Sequence, residues 1–364
     1  MNRLLHIITL LLCAFALHAQ DKSLKFTYDV DFEMNFDNRE FYRSDFSTSM
    51  TIFGTRLTPA VGLEATQKDG TSHRIMLGAD VMKDFGSPTG NSDLLKEVTL
   101  YYRLEKKFKK TRMSLYAGIF PRSNMSENYS QAFFSDSLKF YDNNLEGILL
   151  KFKRPKAEFE IGCDWMGQYS ENKRERFMIF TSGEGRVAPV LSLGYSAFMY
   201  HFANSWHIKG LVDNVLVNPY GRFDFGHLTD FQALSCKFGY IQALQNNRKH
   251  VGHYVFPGGF HVDLEVRKWN VALKNMAYYG TDLMPYYNSH DEGGIKYGSE
   301  LYFGDPFFRI HDDQSTGAGL YDRFEVCYEP SIGKYLKIRV AALFHFHGSH
   351  YSGCQQVVSL KASF

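Results

Sequence analysis

The chain has 364 residues, enough for one large or two medium domains, and 41 basic against 39 acidic residues give a net charge of +2. So small a charge gives no electrostatic support for nucleic-acid binding. The five cysteines are widely separated, which argues against a disulfide framework and against a cysteine-type zinc site.

The first segment, MNRLLHIITLLLCAFALHAQ, has the layout of a secretory signal peptide. Arg3 supplies a positive start, residues 4–17 form an apolar run, and Ala19 is a small residue at the expected cleavage point. The apolar run is shorter than the roughly 20 residues that a spanning helix needs. We therefore expect residues 1–19 to be removed on export and residues 20–364 to form the mature domain.

The stretch LKFTYDVDFEMNF, residues 24–36, has an apolar side chain at every even position and a polar one at every odd position. Successive side chains of a strand point to opposite faces, so this pattern predicts one long two-faced strand. Strands of soluble domains usually have about 5–6 residues. The length therefore suggests a strand that crosses a membrane.

The same alternation recurs along the whole chain, and no helical period competes with it. It predicts an all-β protein with sixteen strands: 24–36, 44–66, 72–82, 95–105, 111–120, 144–153, 157–168, 175–183, 190–200, 207–217, 231–242, 259–267, 271–280, 321–329, 335–346 and 354–364.

The connections between these strands alternate between short and long. Tight turns are expected at 68–70, 106–110, 154–156, 267–270 and 330–334, and long connections at 84–94, 121–143, 243–258 and 281–320. Lipid cannot hydrogen-bond to the backbone, so a sheet crosses a membrane only when it closes on itself. We predict a transmembrane antiparallel up-and-down β-barrel of about 16 strands, within a range of about 14–18. A soluble periplasmic sandwich or propeller is the alternative.

The export segment, the alternating strands and the terminal SLKASF resemble a bacterial outer-membrane β-barrel of porin type. The resemblance implies an outer-membrane location among outer-membrane lipid. It also implies that the barrel-insertion machinery reads the last strand, through Val358, Leu360 and Phe364.

The leading functional expectation is passive diffusion of small hydrophilic solutes through a water-filled lumen. The predicted pore-lining side chains carry both signs of charge, which argues against a strong ion selector. They are Asp29, Asp31, Glu33, Glu158, Glu160, Asp164, His261, Asp263, Glu265, Lys337, Arg339, His345 and His347. The alternative is a non-conducting structural or accessory subunit, with oligomer or envelope-complex partners.

The longest connection, residues 281–320, contains many tyrosines and phenylalanines, too many for a disordered segment. Long connections of this kind often carry function. Three interpretations stay open: a constriction or lid in the mouth of the barrel, aromatic stacking on a ligand, and packing on the rim.

Other chemistry has weaker support. His345 and His347 point the same way on one strand, but no third ligand follows at a fixed spacing, so we predict no metal and no cofactor. No GxSxG motif occurs, and we predict no catalytic residues and no enzyme, with a lipid hydrolase as the third functional alternative. The basic run KKFKK, residues 106–110, is expected to be a solvated turn near anionic headgroups.

Overall fold

The computed structural model describes residues 23–42, 47–87, 94–310 and 317–364. The predicted signal peptide lies outside these residues. The strands are β1 Ser23–Phe41, β2 Met50–Thr66, β3 Ser72–Asp84, β4 Leu95–Phe108, β5 Thr111–Pro121, β6 Asn144–Arg154, β7 Ala157–Gly167, β8 Arg176–Arg186, β9 Leu191–Phe202, β10 Val212–Asp224, β11 Ala233–Asn247, β12 Gly258–Lys268, β13 Val271–Gly280, β14 Gly319–Tyr328, β15 Ser331–Ile332, β16 Leu336–His347 and β17 His350–Ser363.

The strands form one closed antiparallel sheet in chain order. β1 pairs with β2 on one side and with β17 on the other, and Val30 exchanges two backbone hydrogen bonds with Phe364 at 2.9 and 3.2 Å. The two-residue β15 pairs with the first residues of β16, the same strand with which β14 pairs. β14 and β15 together therefore count as one strand of the barrel wall. The described chain is therefore a sixteen-strand barrel, which confirms the predicted fold class.

The alternation determines which side chains face out. Leu24, Phe26 and Tyr28 are 59%, 69% and 59% exposed on the outer face, whereas Asp37, of opposite parity on the same strand, is buried inside. A closed sheet satisfies its backbone groups, and its apolar outer band suits lipid. β1 is long because its outer side chains need no protein partner.

Several strand boundaries differ from the predicted ones, and β1 and β11 each run five residues farther, to Phe41 and Asn247. β2 starts at Met50 rather than at 44, β10 runs from Val212 to Asp224 rather than over 207–217, and β17 starts at His350 rather than at 354. In the β10 case the preceding residues form a local turn, in which the Ser205 N–H donates to the Ile208 carbonyl. That turn uses backbone groups that a strand would need.

The long connections lie at one end of the barrel, called here the long-loop end. The short turns lie at the other, called the short-turn end, apart from the two-residue turn between β16 and β17 at the long-loop end. The turn between β12 and β13 consists of Trp269 and Asn270, whose φ angles are 52° and 65°. Two residues in this left-handed region match the twist of the flanking strands. In outer-membrane barrels the short turns face the periplasm.

Two connections at the long-loop end fold into the barrel. The first, called inner segment 1, comprises residues 122–143 and contains the helix Asp136–Tyr141, whose N-cap Ser135 accepts a hydrogen bond from Leu138 N–H at 3.1 Å. The second, inner segment 2, comprises residues 281–310, with the short helix Gly298–Leu301 and the 3-10 turn Pro306–Phe308.

The two inner segments bind each other and the wall. Backbone hydrogen bonds join Ser135 to Phe303 and Asp305 to Gln131. Buried aromatic side chains then fill the space between the inner segments and the wall, on β8 and β9 on one side and on β13 and β14 on the other: Tyr129, Phe133, Phe134, Tyr302, Phe307, Phe308, Phe180, Phe198 and Tyr200. Among the described residues no helix is long and apolar enough to cross a membrane.

Candidate functional site

The inner segments leave a cavity of about 1090 Å³ inside the barrel. Its walls are the inward side chains of β1 and of β11 to β17 on one side, and the inner segments on the other. Charges of both signs line it. The basic ones include Lys237, Lys274, Arg323 and Arg339, and the acidic ones include Glu33, Asp136, Asp263, Asp305 and Glu325.

The structure brings three of the predicted pore-lining residues to this cavity, namely Glu33, Asp263 and Arg339. Asp29 and Asp31 lie on the same face of β1 as Glu33, nearer to the short-turn end. Lys337 is exposed near that end, opposite Ser331.

Three predicted pore residues on β7 hold inner segment 1 instead. Glu158 accepts a hydrogen bond from Asn128 Nδ2 at 2.8 Å, and Glu160 accepts one from the Ser126 N–H at 2.8 Å. Asp164 lies 3.3 Å from the Arg122 guanidinium. These carboxylates therefore attach the first inner segment to the wall.

Two further predicted pore residues lie on β12 and have protein partners. His261 is only 1% exposed, with Nε2 at 2.8 Å from Asn218 Oδ1, and Glu265 pairs with Arg267 at 3.0 Å. Neither residue lies on the cavity surface.

His345 and His347 belong to a polar and aromatic group at the long-loop end of the cavity. We call it the rim cluster, and it consists of Asp37, Phe307, Tyr321, His345, His347, Ser352 and Gln355. Ser352 Oγ lies 3.0 Å from His347 Nδ1, and His347 Nε2 lies 2.9 Å from the Phe307 carbonyl oxygen. A carbonyl only accepts, so Nε2 carries the proton and Nδ1 accepts from the Ser352 hydroxyl.

A β-bulge places Ser352 beside His347. His345 pairs with Gly353 but Phe346 pairs with Tyr351, so Ser352 is the extra residue in β17. Gly353 has a φ of 135°, and a Cβ there would lie 2.3 Å from the Glu40 carbonyl oxygen. The glycine lets β17 approach β1 at this irregular point.

The second imidazole, His345, connects the rim cluster to the cavity. Its Nδ1 lies 2.9 Å from the Tyr321 hydroxyl and its Nε2 lies 3.0 Å from Gln355 Oε1. Gln355 Nε2 in turn donates to Asp37 at 3.3 Å. The His345 ring also stacks on Phe307 at 4.1 Å, so this histidine is held firmly in one orientation.

Metal binding has little support in this arrangement. All four ring nitrogens of His345 and His347 lie against protein groups. Elsewhere in the described chain, Glu325, Cys327 and Glu329 have ligand atoms within 4.8 Å of one another. However, Arg339 and Lys274 lie 2.7 and 3.4 Å from Glu325, and these two cations neutralise the carboxylates that a metal would need.

Two carboxyl groups of the inner segments face the charged wall. Enclosure within the barrel opposes ionisation of Asp136, although its side chain borders the open cavity, but Lys139 and Arg323 lower the pKa of its carboxyl to about 2. Burial raises the pKa of Asp305, which caps the turn before Phe307. The helix Asp136–Tyr141 is therefore held by an ion pair to the wall, in which the Arg323 guanidinium lies 3.5 Å from the Asp136 carboxylate.

Sequence reasoning missed Asp37, Phe307, Tyr321, Ser352 and Gln355 as members of one site. Their separation along the chain hides them, and the bulge at Ser352 breaks the alternation on which the strand prediction relied. The only sequence signal was HFHGSH, whose His345 and His347 we predicted to line the pore.

Comparison with known proteins supports the fold and identifies a family. OmpTΔL8, a loop-deletion mutant of an outer-membrane protein of Vibrio cholerae, is 11% identical with a TM-score of 0.55, over 94% of this chain and 99% of its own. OccK5 (OpdH) of Pseudomonas aeruginosa is 10% identical with a TM-score of 0.52, over 93% and 98%. No curated protein matches.

The model of the lipid A 3'-O-deacylase-type family matches residues 18–352. This range includes both His347 and Ser352. The prediction that the chain is not an enzyme is therefore wrong, because the matching family is named for an enzyme. The absence of a GxSxG motif misled us, since that motif belongs to a different fold. The chain belongs to the lipid A 3'-O-deacylase-type family.

Proposed function

We propose that this protein is an outer-membrane hydrolase that cleaves an acyl ester of lipid A. Ser352 is the nucleophile and His347 is its general base. The observation that carries the proposal is the 3.0 Å contact between Ser352 Oγ and His347 Nδ1 in a chain of a deacylase-type family.

The chemistry follows from the tautomer of His347. As Ser352 Oγ attacks the ester carbonyl, its proton passes to Nδ1, and the ring then returns that proton to the departing alcohol. Water hydrolyses the resulting acyl-serine with the same base. The Phe307 carbonyl, 2.9 Å from Nε2, orients the ring and stabilises its charged form.

The position of the rim cluster suits an outer-leaflet lipid. It lies at the long-loop end, which in outer-membrane barrels faces the cell exterior. Tyr42 and Tyr351, 61% and 46% exposed, lie next to it at the ends of β1 and β17. Such aromatic side chains at the membrane boundary provide apolar surface beside which an acyl chain can lie.

The test is to express the chain in a bacterium with lipid A of known acylation and to measure the lipid A mass. The wild type should remove one acyl group. Ser352→Ala and His347→Gln should each lower the rate by at least about 1000-fold. His350→Gln changes an exposed histidine of the same hairpin and should keep full activity.

Heat-modifiable migration on a gel shows whether each variant has formed the barrel. Unchanged lipid A mass with folded wild-type protein would refute the proposal, as would full activity in folded Ser352→Ala.

A second function, restricted diffusion of small solutes, is favoured by the cavity of about 1090 Å³ with mixed charge. A planar-bilayer recording with pure, folded protein tests it directly. Steps of conductance would support the diffusion path, and their absence would leave hydrolysis as the function of the barrel.

A further inference from the structure

We propose that the short-turn end of β4 to β7 binds the headgroups of anionic phospholipids in the periplasmic leaflet. The surface, called the basic turn patch, consists of Lys107, Lys109, Lys110, Arg112, Arg154 and Lys156. These six exposed cations lie on or beside two neighbouring hairpin turns, β4–β5 and β6–β7.

The basic turn patch is not compensated within the protein. Over the described ranges of the chain, no acidic side chain forms an ion pair with any of its six members, although neighbouring Lys106 pairs with Asp69 at 3.0 Å. Arg112 lies directly opposite Lys107 on β4 and opposite Lys153 on β6. Like charges opposite each other destabilise a sheet, so the arrangement suits an external anion.

The position of the patch favours a lipid over a soluble acidic protein. Phe108 and Phe159 are 47% and 38% exposed on the outer face of the adjacent strand ends, and the Lys106 ammonium lies 5.1 Å from the Phe108 ring centre. Arg154 has the same outward parity as Phe152 opposite Phe159, and Lys109, Lys110 and Lys156 lie in the turns just beyond this apolar band. Lys107 and Arg112 have the inward parity of Tyr116 and add positive charge at the short-turn mouth of the barrel. A molecule with a phosphate and acyl chains fits both features at once.

The arginines and lysines supply different contacts. An arginine guanidinium binds two phosphate oxygens in one plane, whereas a lysine ammonium acts as a point charge. Arg112 and Arg154 lie on the strands, and Lys109, Lys110 and Lys156 lie at the turns beyond them. Arg154 faces outward, with Nε donating to Thr111 Oγ1 at 2.8 Å, and together with the three turn lysines it suits a phosphate headgroup that lies at the membrane surface.

The test uses the full chain purified in an uncharged detergent and native mass spectrometry with added phosphatidylglycerol or phosphatidylcholine. The wild type should bind phosphatidylglycerol at least tenfold more tightly. The triple variant Lys109→Gln, Lys110→Gln, Lys156→Gln should lose most of that preference, since each cation near a membrane surface contributes about fivefold. Sodium chloride should weaken the wild-type preference.

A matched triple variant removes the same charge at the opposite end: Lys173→Gln, Lys209→Gln and Lys249→Gln. It should bind both lipids as the wild type does. Equal affinity of the wild type for the two lipids would overturn the proposal, and so would an equal loss in both triple variants. Tighter binding of soluble polyglutamate than of phosphatidylglycerol would also overturn it, in favour of an acidic protein partner.

Discussion

The two halves of the barrel interior share one backbone pattern but differ in content. On the side of β5 to β11, inner segments press aromatic rings against the wall, with Phe133 at 5.4 Å from Phe198. On the side of β12 to β17, Phe307 and Phe308 pack on the wall only at the long-loop end, and elsewhere the wall presents Arg323, Arg339 and Glu325 to an open cavity. Alternation decides which side chains face the lumen. Their chemistry decides whether the lumen beside them is packed with protein or left open to water.

The largest effect should come from removal of a buried aromatic side chain on the packed side of the interior. Phe133 is fully buried, and Phe133→Ala should lower the free energy of unfolding by about 3–5 kcal/mol, because a large cavity replaces the ring. Denaturant unfolding in detergent measures the change. Phe256→Ala, at a phenylalanine that is 64% exposed, should cost under about 0.5 kcal/mol, and an equal cost at both sites would contradict a packed inner segment.

A middle-sized effect should come from the charged half. Glu325 accepts ion pairs from Arg339, Arg323 and Lys274 at 2.7, 3.2 and 3.4 Å. Glu325→Gln should lower the unfolding free energy by about 1.5–3 kcal/mol, because three cations then lose their shared partner.

The control for this network is Glu300→Gln, at a carboxylate that is 56% exposed and pairs with Arg176. It should cost less than about 1 kcal/mol. If the Glu300 change proved the more costly one in denaturant titrations, the Glu325 network would not hold this half together.

The smallest effect concerns the ion pair between Asp136 of inner segment 1 and Arg323 of β14. The pKa of Asp136, about 2 in the folded chain, is below its ordinary 3.8, so its stabilising contribution is present above pH 3.8 and is lost as the pH falls through about 2. Its side chain is 60% exposed, so water screens the interaction and the change is small.

Unfolding of the wild type and of Asp136→Asn, compared between pH 5 and pH 2, measures this contribution. The two curves should differ slightly at pH 5 and merge near pH 2. A difference that grows toward low pH would reverse the expected sign.

The strands were predictable because their signal is local. The pattern over 271–280 predicts β13, which runs from Val271 to Gly280 as expected. The content of the lumen was not predictable in the same way. Glu160 and Asp164 have the parity of pore residues, yet they hold inner segment 1, and only closure of the sheet brings Ser126 and Arg122 to them.

The candidate catalytic pair was hidden for a related reason. His345 and His347 were visible as inward histidines, but Ser352 lies at a bulge in β17, where the alternation fails. Its relation to His347 depends on strand pairing rather than on a fixed motif. Phe307, whose carbonyl holds the ring, comes from a connection 40 residues away.

The irregular pairing between β16 and β17 has a consequence for deletions in this hairpin. One surplus residue in a hairpin brings a hydroxyl to an imidazole, so deletion of that residue would restore a regular ladder and remove the pair without disturbing the rest of the wall. A variant of this chain that lacks Ser352 would then be shorter by a single residue and would lose the hydroxyl beside His347.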